Sequence, residues 1–142
     1  TNLTILTASC QSPILKLDIS AQTRGVDRLD STEIAQMVVE VASDKLAEDI
    51  RMLDLRPVTY FADYFVIMSA DSSRQIEALE QDIVKALKES DIRPFHREGT
   101  SSSGWVLLDF SDVIVHIMGP EEREFYELER LWFQAPQIVR VL

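Results

Sequence analysis

The chain reads as a single compact α/β domain, a mixed β-sheet flanked by helices, and three observations predict this. Two segments, 30–46 and 73–90, carry apolar residues at helical spacing. The run YFVIMSA at 64–70 is apolar almost throughout, as in a strand buried on both faces. The stretch WVLLDFSDVIVHIMG at 105–119 holds two apolar runs around a short polar break, the pattern of a hairpin. A helical crossover between strands suits parallel pairing, whereas a tight turn forces antiparallel pairing, so the sheet must be mixed.

Taken in order, residues 1–29 are weakly periodic and read as an extension, with a short strand at ILKLDI. The domain is expected over 30–133. Asp30 begins a helix as its cap, with Glu33 placed to reach back in a capping box. Ile34, Val38, Val41 and Leu46 then form the apolar stripe, widened by Met37 and Ala42. DIRMLDLR at 49–56 is too short for another long helix and reads as a strand closed by Pro57. After the strand at 64–70, Ser72 and Gln75 offer a second capping box. Ile76, Leu79, Ile83 and Leu87 form the stripe of the helix that follows.

Residues 93–98 suggest a short strand interrupted by Pro94, and the small polar residues of EGTSSSG at 98–104 a mobile loop. Strands are expected at 105–110 and 113–118. Gly119-Pro120 ends the second and starts one last helix, EEREFYELERLWF, with acidic residues in its first turn. In that helix Phe125, Leu128 and Leu131/Trp132 form the core stripe, and Tyr126 falls about 100° away from Phe125. The tail 134–142 has no clear assignment.

Charge narrows the function. The 142 residues carry a net charge of −10, and the basic residues are scattered. Such a surface repels a phosphate backbone, so direct nucleic-acid binding is disfavoured and a basic protein partner favoured. One cysteine, Cys10, leaves no intramolecular disulfide and no multi-cysteine zinc site. No apolar run approaches the roughly 20 residues of a membrane span, and the first residues lack a signal-peptide pattern.

Two places invite a catalytic reading. With Ser111-Asp112 as a two-residue turn, Asp109 sits opposite Ile114 and Leu107 opposite His116, so Asp109 and His116 become diagonal neighbours on one face. Catalysis would also need an aligned nucleophile and oxyanion donors, and a metal site a recognisable ligand spacing. Neither is present around His96 or His116, so a structural or interface role is the stronger reading. The turn SADSSRQ at 69–75 precedes a helix and so resembles an anion site, but it lacks the glycine and lysine pattern of a phosphate loop. Asp71 would repel a phosphate there. Capping accounts for the serines better.

The succession ADYFVI, SSRQ, EG…W, D-x-x-DV-x-VH and R-x-FY-x-LE-x-LW, from about Ala42 to Trp132, resembles the Iojap family, the ribosomal silencing factors (RsfS). The resemblance implies a fold related to nucleotidyltransferases, without their Gly-Ser turn and Asp-x-Asp motif. It implies no enzymatic activity and no cofactor or metal. The implied partner is the large ribosomal subunit through its ribosomal protein fourteen, at the face that meets the small subunit. Occupying that face blocks subunit joining and represses translation. The implied contacts are Trp105 and Tyr126, with Asp109, Asp112, Glu129 and Trp132 around them. Some family members form homodimers. The bacterial cytoplasm is the expected location, with a plastid as the alternative, since the final stretch has a cyanobacterial or plastid-like character. A large-subunit assembly factor and a nucleotidyltransferase-type enzyme are the competing functions. Family members usually carry glycine where this chain has Ser111, and often where it has Ala70. A positive φ at Ser111 is therefore expected to cost stability.

Overall fold

The computed structural model describes residues 29–142; the strand expected at 14–19 lies outside them. Helix α1 (Ser31–Asp44) starts with the expected capping box: Asp30 accepts the Glu33 amide and Glu33 accepts the Asp30 amide. Its stripe of Ile34, Ala35, Val38, Val39 and Ala42 is buried. Leu46, expected on that stripe, lies beyond the helix end at φ 65° and is exposed. Strand β1 (Glu48–Asp54) bulges after its first residue, where Asp49 takes a φ of 46°. Strand β2 (Tyr64–Ser69) is buried at every position, as its continuous apolar run requires. Helix α2 (Ser73–Lys88) buries Ile76, Leu79, Ile83 and Leu87.

The second capping box is only half formed. Ser72 accepts the Gln75 amide, but the Gln75 side chain accepts from Asp71 and donates to the Leu46 carbonyl. An amide that can both accept and donate ties the start of α2 to the chain after α1, where a carboxylate could only accept.

Strand β3 (His96–Thr100) is exposed along its length and leads into a turn at Ser101–Ser103, capped by the Thr100 hydroxyl. The stretch expected as a mobile loop is thus the end of a strand and a hydrogen-bonded turn. Strands β4 (Trp105–Asp109) and β5 (Val113–Met118) form the hairpin in the expected register, Asp109 opposite Ile114 and Leu107 opposite His116. Helix α3 (Pro120–Tyr126) is followed by α4 (Leu128–Leu131), and Gln137–Val141 forms β6.

The six strands run β3-β4-β5-β2-β1-β6; β2 and β5 are parallel and every other pair is antiparallel. Helices α1 and α2 pack on one face, over Met52, Val66, Met68, Val106, Leu108, Val115 and Ile117. Each fully buried aliphatic side chain there contributes about 1.5–3 kcal/mol by leaving water. The second face carries a smaller cluster, in which Leu53, Phe65, Ile67 and Met118 meet Leu128 and Trp132.

The last helix departs from expectation. It breaks at Glu127, whose φ of 46° is left-handed, a conformation that costs a non-glycine residue about 1–2 kcal/mol. The break sends Leu128 and Trp132 into the second cluster, and it leaves Phe125 and Leu131 out of the core they were expected to join, 78% and 70% exposed.

Candidate functional site

The site grows from the entry to β4. Gly99 (φ 85°) lies opposite Val106, where a Cβ would collide with the Trp105 carbonyl oxygen, so only glycine allows β3 this close. Gly104 (φ 84°) ends the serine turn and delivers the chain to Trp105. On the pleat Trp105, Leu107 and Asp109 share one face, together with Ile114 and His116 across the hairpin. This is the face that α1 and α2 do not cover.

The Trp105 side chain belongs to that face and packs against its apolar cluster. Its Nε1 donates to His116 Nδ1 at 3.2 Å, and its ring meets Tyr126 at a centroid distance of 4.7 Å. Phe125 stands edge-on to Tyr126 at 4.9 Å. Together with Leu107, these three rings line an open cleft of about 660 Å³. Glu98, Glu121 and Glu122 also line it, and no basic side chain does. The cleft is an aromatic floor with an acidic rim, suited to a flat partner surface that carries positive charge.

At the far end of the hairpin the aspartates serve the turn. Ser111 adopts φ 79°, the left-handed conformation expected to favour glycine, and its amide donates to Asp109 Oδ1 at 2.7 Å. The Asp112 carbonyl accepts the amides of Asp63 and Tyr64, stitching the turn to the start of β2. The Asp109–His116 hydrogen bond weighed from the sequence is replaced: Asp109 serves Ser111 and His116 serves Trp105. Burial alone pushes His116 down to about 4, and its Nε2 has no hydrogen-bond partner. It is a neutral imidazole inside the sheet. His96, across from Asp109, is exposed and bonds Glu98 at 2.9 Å.

Glu129 belongs to a different cluster. Its Oε2 accepts from Arg123 Nε at 2.8 Å and lies 3.8 Å from Arg51. Arg123, 9% exposed, also donates to the Ser69 hydroxyl at 2.8 Å and stands 3.5 Å from Asp49. Burial pushes the Asp49 carboxyl up, but hydrogen bonds from Arg51 and Arg140 and the charge of Arg123 outweigh it and hold it below the ordinary carboxylate range. Trp132 packs edge-on against Phe65 and Phe61, at 5.5 and 5.7 Å. The structure therefore brings together Trp105 and Tyr126, places Asp109 and Asp112 at the far end of the hairpin, and commits Glu129 and Trp132 to internal contacts.

Among the described residues no group of three His, Cys, Asp or Glu side chains could hold a metal ion, and no helix is long and apolar enough to cross a membrane. At the SADSSRQ turn, the Asp71 and Gln75 amides are already bonded to side chains of the same turn.

Comparison with known proteins completes the picture. The family model described as ribosomal silencing factor during starvation matches residues 28–141. The chain belongs to the ribosomal silencing factor family. A ribosomal silencing factor RsfS from Bacillus subtilis is 36% identical over 108 residues, which cover 76% of this chain and 92% of that one. The chloroplastic protein Iojap of Arabidopsis thaliana is 34% identical over 122 residues, 85% of this chain and 51% of the relative. A crystal structure of a protein from Chromobacterium violaceum superposes with a TM-score of 0.71 at 32% identity, covering 80% of this chain and 94% of that one. These relatives are named as silencing factors or Iojap proteins, not as enzymes. A ribosome-associated role follows for this RsfS-family chain, and bacterial, chloroplast and mitochondrial relatives fit either a bacterial or an organellar setting.

The resemblance named Trp105 and Tyr126 but not Leu107, Phe125 or the glutamates beside them. Strand alternation from Trp105 already placed Leu107 and Asp109 on its face. Glu121 and Glu122 were legible only as dipole partners of a helix start, because nothing local shows that α3 folds back over β4. Phe125 was misplaced in the core stripe, since the stripe assumed a straight helix.

Proposed function

We propose that this protein binds large-subunit ribosomal protein fourteen through the Trp105–Tyr126 cleft. In that position it covers the face that meets the small subunit and blocks subunit joining, which lowers translation. The observation that carries the reading is the aromatic floor with a rim whose charged side chains are all acidic, on a sheet face the two long helices leave open. Ribosomal proteins are generally basic, so a chain of net charge −10 is steered towards one and repelled by bare RNA. Asp109 and Asp112 continue the acidic surface along the hairpin, while Glu129 and Trp132 support α3 and α4 from within. Some family members form homodimers, and a dimer using this face would compete with the ribosome for it.

Purified large subunits provide the test, with wild type compared against Trp105→Ala and Tyr126→Ala and the fold of each variant checked by circular dichroism. Each interface ring is expected to contribute about 2 kcal/mol or more, so each variant should bind roughly thirtyfold more weakly. The wild type should also slow subunit joining in light scattering. Binding that survives both changes moves the site away from the cleft; absence of wild-type binding overturns the reading.

A second reading has support of its own. A mouse relative, 34% identical over 118 residues, is named mitochondrial assembly of ribosomal large subunit protein 1; the match spans 52% of that protein. An assembly factor shares the binding step but acts on maturation. Loss of this protein should then leave immature large subunits, whereas a silencing factor leaves them mature and joining too readily.

A further inference from the structure

We propose that His116 is a positioning residue for the binding surface: its Nδ1 accepts from the Trp105 indole Nε1 and fixes the ring in the orientation that forms the cleft with Tyr126. The inference rests on the ribosome-binding reading above and adds to it a residue that touches no partner. Trp105 opens its strand and is not sealed in the core, so strand pairing alone does not fix its ring. Two contacts do. One is the ring of Tyr126 at 4.7 Å, and the other is the hydrogen bond from Nε1 to His116 Nδ1 at 3.2 Å. His116 is itself held, its ring edge-on to Phe65 at 4.7 Å inside the sheet.

The protonation pattern of His116 suits this role. Accepting on Nδ1 puts the single proton of a neutral imidazole on Nε2, where it finds no partner. A buried orphan donor costs stability that a leucine at this position would not cost. The return for that cost is an acceptor placed at the indole Nε1. Desolvation keeps the ring neutral at physiological pH, so the acceptor is always available.

The test compares His116→Asn, whose side-chain oxygen can replace Nδ1, with His116→Gln and His116→Leu, which displace or remove the acceptor. Two readouts are taken on variants that circular dichroism and thermal melting show to be folded: the exchange rate of the Trp105 indole proton by NMR, with Trp132 as internal reference, and affinity for purified large subunits. Expected is indole exchange at least tenfold faster in Gln and Leu, affinity about tenfold weaker, and substantial recovery of both in Asn. Leu and Gln variants that bind like wild type overturn the role of His116 while leaving the binding reading intact. Affinity that falls equally in all three with unchanged indole exchange also overturns it. Wild type that fails to bind the subunit overturns the proposed function instead, and indole exchange then still reports whether His116 holds Trp105. A Leu variant that unfolds leaves Asn against Gln as the deciding pair, read by the same outcomes.

Discussion

The two flanks of helix α3 treat charge in opposite ways. On one side, Trp105, Leu107, Phe125 and Tyr126 form an open cleft whose glutamates have no basic neighbour lining it. On the other, Arg123 turns inward, and Glu129, Asp49 and Ser69 surround its guanidinium while Arg51 and Arg140 bind the carboxylates. Both flanks contain residues expected to contact a partner. The difference lies in whether charge is already answered within the chain. A carboxylate with an internal arginine has little left to offer a partner, whereas one at the cleft rim keeps its field available. Acidity along the sequence is thus a poor guide to which acids bind.

That contrast is open to direct challenge. The largest effect should follow Glu129→Ala, which leaves the buried Arg123 charge without its closest carboxylate. A loss of about 3 kcal/mol in urea unfolding is expected, the lower end for a broken buried pair because Asp49 stays 3.5 Å from the guanidinium, with affinity per folded molecule unchanged. A stable variant with weakened ribosome binding would place Glu129 in the interface after all.

The next effect is a pH dependence that belongs to the cleft side. The His116 ring falls from its ordinary 6.5 to about 4 in the folded state because burial penalises its charged form. Below pH 6.5 the unfolded chain takes up a proton that the folded chain refuses until about pH 4. Stability therefore falls across that interval, by about 3 kcal/mol, and the contribution is flat below it. His116→Leu should abolish this slope. Asp49 acts in a separate window: its depressed carboxyl contributes stability above 3.8 that is lost as the pH falls through its lower folded value. Denaturant melts from pH 7 to 3 distinguish the two flanks by where the slopes fall.

A smaller change should come from neutralising the rim. Glu121→Gln with Glu122→Gln is expected to slow association with large subunits about threefold at low salt and to have less effect at high salt, leaving the fold intact. Salt-independent rates would remove the rim from the encounter. The smallest effect lies in the hairpin turn, away from both flanks. Ser111→Gly relieves a left-handed serine but frees the unfolded chain, for a net gain of about 0.5–1 kcal/mol measured by thermal melting.

Much of this was legible beforehand, for physical reasons that differ by element. The β4–β5 register followed from a two-residue turn and strict alternation, and it placed Leu107 opposite His116 correctly. The apolar run of β2 announced burial on both faces. The hydrogen-bond partners of Asp109 and His116 were not legible, because a diagonal pair on one face defines proximity and not choice. Trp105 brings its indole to the same imidazole from the other diagonal, and a turn amide takes Asp109 instead. The break at Glu127 was equally hidden. Helical periodicity continued through it, and the left-handed turn exists only because Leu128 and Trp132 gain a place in the second cluster.

By itself, the sequence determined the α/β class, the two capped long helices, the buried central strand and the hairpin register. These depend on local periodicity and short-range pairing, which the chain carries in its own order. The ribosomal silencing family was legible too, but through the resemblance of an ordered set of motifs. Only the tertiary structure decided which charges are spent internally, that the end of α3 pairs Tyr126 with Trp105, and that a neutral histidine accepts from the indole. Those outcomes depend on distant segments competing for one sheet face, and that competition is decided by burial and hydrogen bonding after the elements have formed.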